Sequence, residues 1–391
     1  MKKHRLWYIT IVTVMLAVYI IANSKETLVF TGGLILVPVV LALIQAGAVS
    51  SLTIECSMQN SSRVRNTIPL VLRIRKQSFF PIGAVKLSVN VRNNMYNEET
   101  EHEIFLQPSG ERKMEFQYPI KLEDCGSVWV TVKHADFYDL PGLLKIRKTI
   151  GRTMEILVYP ADIHLITELE RRPETQTFGE YYDQERKGQD VSEMSGLREY
   201  EEGDSLGSVH WKLSGKFDEL VVREFGYPFN YNILILYDVM KICSGQQIAN
   251  QRNNAVLALT DALSYSMMEM NLEHNVGRVM EGEFYTVPVN SRSTHDQMVL
   301  NLICRPVTES MQNGDVIYHF IRLVRRNEYT KVIYITPEYE EGAVQQLSRE
   351  ADVTVIKVTQ GMEGTYVDTP GYSVIPVDAE QYREKVHSIV I

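Results

Sequence analysis

Two long apolar runs at the start of the chain constrain its fold most, because neither run can stay exposed to water. The first extends from Leu6 to Ala22 and the second from Leu28 to Val49, with the polar break "NSKET" between them. Each run is close to the about 20 residues that a helix needs to cross a bilayer. The pattern predicts a two-helix transmembrane hairpin over residues 1–50, and hence a cell-membrane protein in contact with the lipid bilayer.

The charges beside these runs predict the topology. Lys2, Lys3 and Arg5 precede the first run, whereas the break carries one lysine and one glutamate. Positive charge favours the cytoplasmic side, so we expect the N-terminus and the whole soluble part in the cytoplasm. A cleaved signal peptide fits less well, because no small-residue cleavage site follows the first run. The alternative is an inverted topology, with an envelope-facing structural protein.

Composition limits the remaining possibilities. With 391 residues the chain has room for two soluble domains. Its net charge of −9 argues against a nucleic-acid partner, because proteins that bind nucleic acids present a basic surface. The four cysteines lie far apart without a C-x-x-C pair, so they indicate neither a zinc site nor a disulfide framework. We expect buried thiols in a reducing compartment.

Residues 51–160 alternate between apolar and polar side chains. The alternation is regular over 85–92, 114–120 and 128–132, and turn-forming segments such as "QPSGE" and "EDCGS" separate the runs. A period of two, with one solvent-exposed face, is typical of antiparallel strands. We expect six or seven of them, in a β-sandwich of immunoglobulin-like shape.

The second half of the soluble part has a different hydrophobic pattern. Residues 161–195 are mostly polar and predict an extended connector, and residues 196–391 predict an α/β domain with a mainly parallel sheet. Short apolar runs that suit buried strands alternate there with helical patterns. The strand-like runs are "NILILYD", a stretch near Val276, "KVIYITPE", "DVTVIKVT" and "YSVIPVD", and the helical ones cover about 251–270 and "EGAVQQLSRE". The fold class is therefore α+β multidomain.

One stretch concentrates charged and aromatic residues around glycine turns. The signature segment, Gly196–Phe225, reads "GLREYEEGDSLGSVHWKLSGKFDELVVREF". It resembles the signature of domain-of-unknown-function family fifty-eight, whose pattern is R-E-Y, G-D, I-x-W-K and V-R-E. The matching residues are Arg198, Glu199, Tyr200, Gly203, Asp204, Trp211, Lys212, Val222, Arg223 and Glu224.

Further residues extend and limit this resemblance. Upstream, Asp139, Pro141, Gly142 and Leu143 approximate the family's D-P-F-G-L turn. Two positions depart from the pattern: Gly207 stands where the family usually has arginine, and Gly215-Lys216 replaces a common Ala-Arg pair. The resemblance implies two N-terminal spans, a β-sandwich and a von Willebrand A-like domain. It also implies a MoxR-type AAA+ ATPase as partner, in protein assembly or maturation.

A metal site in the α/β domain is not expected. A von Willebrand A domain binds Mg²⁺ through D-x-S-x-S, because this hard cation requires oxygen ligands. Here Asp238 is followed by Met240 and Ile242 at the two hydroxyl positions, with Lys241 between them. Asp238 thus marks a degenerate position, and we expect neither metal nor cofactor.

Catalysis is the rival hypothesis for the signature segment. Asp204 and His210, with Glu201 or Glu202, have the chemistry of a general acid and base, so a hydrolase is the alternative function. No nucleophile motif such as G-x-S-x-G and no phosphate-binding G-x-x-x-x-G-K-[ST] accompanies them. Asp204 would equally serve to cap a short helix. We therefore expect a protein that is not an enzyme.

The remaining interpretations of the segment are a paired charge network and a docking surface. Buried charges must be paired, so Arg198, Asp204, Arg223 and Glu224 can fasten the connector to a sheet edge. The same set, with Trp211 as aromatic anchor and Lys212, can instead form a partner surface, and the sequence favours the network. Tyr200 belongs to the same signature. Either way the sequence favours a membrane-anchored, non-enzymatic scaffold or adaptor.

Overall fold

A computed structural model describes most of the chain. The described residues are 2–78, 82–108, 111–139, 144–168, 194–200, 209–217, 220–225, 232–240, 247–307, 315–324, 328–361, 366–369, 371–385 and 388–390.

Two antiparallel apolar helices open the fold, α1 (Lys2–Ala22) and α2 (Lys25–Ser50). Ser24 caps α2, since its side chain accepts a hydrogen bond from the Thr27 backbone N–H. The Tyr8 hydroxyl on α1 donates to the Leu34 carbonyl on α2. Helix α2 is long and apolar enough to cross a membrane, whereas the apolar part of α1, Leu6–Ala22, is shorter. The structure therefore supports one candidate span, and the second span stays a prediction.

Two sheets follow the helices. A three-stranded sheet has the order β1-β3-β6, and a five-stranded sheet has the order β2-β8-β7-β4-β5. Their strands are β1 (Thr53–Ser57), β2 (Ser61–Arg63), β3 (Thr67–Arg75), β4 (Val85–Asn93), β5 (Glu98–Leu106), β6 (Lys113–Lys121), β7 (Gly126–Tyr138) and β8 (Lys145–Tyr159).

The predicted alternation is confirmed in these sheets. Every other residue of β3, from Ile68 to Ile74, is buried, and so are Val85, Leu87 and Val89 of β4. These side chains belong to one buried cluster that both sheets share. The pairing is antiparallel except at β2, which runs parallel to β8.

The second soluble part is built on a seven-stranded mixed sheet in the order β14-β13-β12-β15-β16-β18-β17. The five central strands are parallel, and the edge strands β14 and β17 are antiparallel to their neighbours. The strands are β12 (Ile233–Tyr237), β13 (His274–Met280), β14 (Glu283–Val289), β15 (Lys331–Thr336), β16 (Asp352–Thr359), β17 (Val367–Thr369) and β18 (Tyr372–Asp378). The helices are α4 (Gln247–Glu269), α5 (Arg292–Cys304), α6 (Val316–Leu323), α7 (Glu341–Leu347) and α8 (Tyr382–Lys385).

The short strand β9 (Ile166–Glu168) lies within the predicted polar connector, residues 161–195. It pairs in parallel with β19 (Ser388–Val390), close to the end of the chain. The Thr167 backbone N–H also donates to the Ser266 hydroxyl of α4, 3.3 Å away. The beginning of the connector is therefore part of the second soluble unit, and residues 169–193 lie outside the described part.

A polar cluster joins the first soluble unit to helix α4. The Asn254 side-chain oxygen accepts from the Tyr96 hydroxyl and from the Cys125 backbone N–H, both at 3.0 Å. The Asn254 amide nitrogen donates to Asp124 at 2.7 Å, and Asn250 donates to Asp124 at 3.1 Å. Burial raises the pKa of Asp124, and these two amides oppose that rise. The cluster fixes the α/β unit at one end of the first unit.

The cysteines follow the expectation in part. Cys56 and Cys125 are buried and unpaired, but Cys304 is exposed at the end of α5. Cys243 lies outside the described residues.

Candidate functional site

The signature segment forms a small unit of a β-ribbon and a short helix. Strand β10 (Met194–Glu199) pairs antiparallel with β11 (Val221–Phe225). The Tyr200 backbone N–H extends the ladder to the Leu220 carbonyl at 2.8 Å. In this register Arg198 lies opposite Val222, and Arg223 lies opposite Leu197. The two arginines therefore occupy successive rungs rather than facing positions.

Helix α3 (Trp211–Phe217) lies between the two strands in sequence, and His210 precedes it. The His210 Nδ1 atom accepts from the Leu213 backbone N–H at 3.3 Å, as a capping side chain does. The Ser214 hydroxyl accepts from the Val221 backbone N–H at 2.9 Å and so ties α3 to β11. These contacts give His210 a structural role at the start of α3.

The burial pattern of this unit separates a small core from an exposed aromatic ring. Val209 and Val222 face each other across an isolated bridge and are 4% and 3% exposed. Trp211, in contrast, is 63% exposed, and Leu220 is 42% exposed. A tryptophan with this much accessible apolar surface contributes little to the core of its own unit.

The structure places the other signature residues only in part. Lys212 is exposed beside Trp211 on α3. For Arg198, Arg223 and Glu224 the structure gives the position in the ribbon only, and Gly203 and Asp204 lie outside the described residues. The charge network and the hydrolase pair Asp204–His210 therefore stay predictions.

The degenerate metal position lies at the carboxyl edge of the mixed sheet, directly after β12. Asp238 is 3% exposed, and its backbone N–H donates to the Ile335 carbonyl on β15 at 3.0 Å. Burial raises the pKa of Asp238 to about 7, and the guanidinium of Arg278 on β13 opposes that rise. Arg278 is itself 2% exposed and lies 5.8 Å from the centre of the Tyr237 ring.

Near Asp238, the side-chain amide of Asn253 binds the backbone of Met240, the first position at which the D-x-S-x-S motif would have a hydroxyl side chain. The Met240 backbone N–H donates to the Asn253 side-chain oxygen at 2.8 Å, and the Asn253 amide donates back to the Met240 carbonyl at 3.1 Å. Within the described ranges no three His, Cys, Asp or Glu side chains cluster as metal ligands do. Ile242 and Lys241 lie outside those ranges, so the absence of a metal site stays a prediction.

The structure contains a serine–histidine contact in the α/β unit that the sequence did not predict. The Ser264 hydroxyl of α4 lies 2.8 Å from His274 Nε2 at the start of β13, and His274 Nδ1 lies 2.9 Å from the Leu272 carbonyl. Both side chains are buried, and burial lowers the pKa of His274. Because this pair has no solvent access, its role is to satisfy polar groups in the core. The only signal in the sequence was that Ser264 lies in a predicted helix and His274 lies at the start of the strand-like run that follows it.

Comparison with curated proteins and solved structures gives little likeness. No curated protein matches the chain. Among solved structures, a β-glucosidase from Listeria innocua is 12% identical, covering 27% of this chain and 16% of the enzyme, with a TM-score of 0.19. A cohesin module of a family 33 glycoside hydrolase from Clostridium perfringens is 5% identical, covering 28% of this chain and 96% of the module, with a TM-score of 0.21. The putative ApaA protein from Bordetella pertussis is 13% identical, covering 27% and 93%, with a TM-score of 0.20.

Scores of this size do not establish a common fold, and this chain spans only about a sixth of the Listeria enzyme. The family comparison is more informative. Residues 196–374 match the model of the family described as "Protein of unknown function DUF58". The match begins at the first residue of the signature segment and supports the assignment of this part of the chain to the DUF58 family.

Proposed function

We propose that this protein is a membrane-anchored, non-enzymatic adaptor whose signature unit docks a partner protein. The exposure of Trp211 carries the proposal. The unit has its own small core in Val209 and Val222, so the 63% exposed indole is available for contacts outside the unit. Tryptophan is enriched among the residues that dominate binding energy at protein interfaces.

The partner we propose is a MoxR-type AAA+ ATPase, acting with this protein in protein assembly or maturation. This identity rests on the family resemblance, which the match of residues 196–374 supports for the domain alone. A partner that hydrolyses ATP complements a chain without a phosphate-binding loop motif.

The proposal includes a cytoplasmic soluble part, two membrane spans and two recognisable folds. The order β14-β13-β12-β15-β16-β18, with β14 antiparallel, supports a von Willebrand A-like sheet with Asp238 after its first strand. The two sheets over 53–159, which share one core, support an immunoglobulin-like sandwich.

The test is co-purification from solubilised membranes with Trp211→Ala, using mass spectrometry to identify partners. We expect loss of the ATPase, because removing a central interface aromatic typically costs about 2 kcal/mol or more of binding energy. The melting temperature should hardly change, since an exposed substitution costs within about 0.5 kcal/mol.

Trp129→Ala is the matched control, because Trp129 is also well exposed, at 43%, but lies on β7 of the first soluble unit. This variant should keep the partner. A partner retained by Trp211→Ala together with a lowered melting temperature would favour the internal network over docking.

A further inference from the structure

The geometry points to a second membrane contact: we propose that the end of the first soluble unit nearest α2 docks onto anionic phospholipid headgroups. This inference rests on the proposed membrane span α2 but not on the partner protein. We call this surface the membrane-proximal end, and it consists of the described residues 51–53, 75–78, 82–86, 106–108, 111–113, 136–139 and 144–148.

Strand register shows that these residues lie at one end of both sheets. Thr53, which follows α2 by three residues, pairs with Arg75, and Arg75 pairs with Lys113. In the other sheet Val85 pairs with both Leu106 and Phe137. The sheets are joined at this same end, because the chain passes from β3 to β4 and from β5 to β6 there. The Lys76 backbone N–H also donates to the Arg112 carbonyl at 2.9 Å.

Lys148 holds this end against the helix. Its Nζ atom donates to the Val49 carbonyl at 3.2 Å and also to the Leu52 carbonyl. A lysine at a helix C-terminus satisfies carbonyls that have no partner within the helix and favours the negative end of its dipole. Because α2 ends here, the membrane-proximal end lies at the depth where a spanning helix reaches the headgroups.

The charge of this end is opposite to that of the chain. The protein as a whole carries −9, yet basic residues outnumber acidic ones at the membrane-proximal end. The basic residues are Arg75, Lys76, Lys86, Arg112, Lys113, Lys145, Arg147 and Lys148, and the acidic ones are Glu111, Asp136 and Asp139.

Ion pairs cancel part of this charge, since Arg75 lies 3.8 Å from Glu55 and Lys86 lies 2.7 Å from Glu103. Asp136 is 4% exposed and is bound by Arg147 through two hydrogen bonds of 2.7 and 3.0 Å, with Lys145 at 3.2 Å. Asp139 is also buried, where it accepts the Leu144 backbone N–H. Lys76 is only 5% exposed, whereas Arg75, Arg112, Lys113, Lys145 and Arg147 are all exposed, as is Glu111. Among the exposed residues of this end, the basic ones therefore still outnumber the acidic one.

Apolar side chains accompany the charges, and no other described part of the protein covers them. Leu144, directly before β8, is 40% exposed, and Phe105 near the end of β5 is 64% exposed. The α/β unit is attached at the opposite end, where the Val307 backbone N–H donates to the Met95 carbonyl. A basic surface with exposed apolar residues at headgroup depth matches an anionic membrane, where each lysine or arginine strengthens binding by about fivefold.

Hydrogen exchange on the full chain in nanodiscs tests the proposal. We expect the backbone amides of 106–108, 111–113 and 144–148 to exchange more slowly in a phosphatidylcholine–phosphatidylglycerol mixture than in phosphatidylcholine alone. High salt should abolish this difference, because it screens exposed charges. The quadruple variant Arg75→Gln, Arg112→Gln, Lys113→Gln and Lys145→Gln should lose the difference too, while Arg147 stays to neutralise Asp136.

The matched control removes four basic residues elsewhere, with Arg63→Gln, Lys121→Gln, Arg322→Gln and Arg349→Gln, and should behave like the wild type. Unchanged exchange of the core amides of Val130 and Val132 verifies the fold of each variant. Equal exchange of the wild type in both lipid mixtures overturns the proposal even if a variant fails to fold. Failure of the chain to enter nanodiscs would instead contradict the span α2.

Discussion

Asp238 is a buried carboxyl group whose pKa is strongly raised by its burial. Under the proposed von Willebrand A-like fold, its position after β12 is the place where a metal-binding domain would need a carboxylate. Here the side chain is buried with Arg278 as the nearby cation, and its pKa is raised to about 7. The loss of the hydroxyl ligand at Met240 was visible in the sequence. Arg278 was not, because nothing in a sequence shows that β13 lies beside β12.

Asp238→Asn should change how stability depends on pH. The folded pKa of about 7 lies above the unfolded value of about 3.9, so the wild type loses up to about 4 kcal/mol between pH 4 and pH 7. We expect the asparagine variant to melt close to the wild type at pH 4 and clearly above it at pH 8.

Asp136→Asn is the control of opposite sign. Hydrogen bonds from Arg147 and Lys145 lower the pKa of Asp136 to about 2, so the stability that the ionised carboxylate contributes is lost only as the pH falls below about 4.

A variant Asp238→Asn that melts below the wild type at pH 8 would show that the ionised carboxylate is stabilised by Arg278 more than burial penalises it.

At the scale of elements, strands with continuous or alternating apolar character could be predicted, and elements that depend on distant partners could not. Strands β12, β15, β16 and β18 coincide with the predicted runs, and α4 begins four residues before its predicted range. Strand β14 was missed because it is a mostly exposed edge strand, in which only Val289 is buried, and because it contains Pro288. The pairing of β9 with β19 was missed because it joins segments that are more than 200 residues apart.

The contact of α4 with the first soluble unit was also missed, although asparagines in a mainly apolar helix were a signal. Asn254→Ala should leave the Cys125 backbone N–H without its partner and the Asp124 carboxylate with one of its two amide donors, Asn250. Because such groups are costly when buried, we expect destabilisation by about 2–3 kcal/mol, measured as a lower melting temperature of the full chain. Asn301→Ala on the exposed face of α5 is the control and should cost less than about 0.5 kcal/mol. Equal effects of both variants would mean that the polar cluster does not hold the units together.

At the scale of the whole molecule, the described contacts place three parts in series. Helix α2 meets the first soluble unit through Lys148, and the opposite end of that unit meets α4 through Asn254. The membrane-proximal end and the signature unit therefore lie on different parts of the chain. Under the proposed function, the membrane-proximal end contacts lipid and the signature unit contacts the partner protein.

Accessibility of single cysteines to a membrane-impermeant thiol reagent tests the topology on which this arrangement depends. With two spans and a cytoplasmic soluble part, Lys25→Cys should react in intact cells, whereas Lys3→Cys and the exposed native Cys304 should react only after permeabilisation. If only α2 crosses the membrane, Lys3→Cys should react together with Lys25→Cys, because α1 would then lie on the outer side. An inverted topology gives a third pattern, in which Cys304 reacts in intact cells. That result would contradict the cytoplasmic assignment and, with it, the proposed contact with an ATPase that works inside the cell.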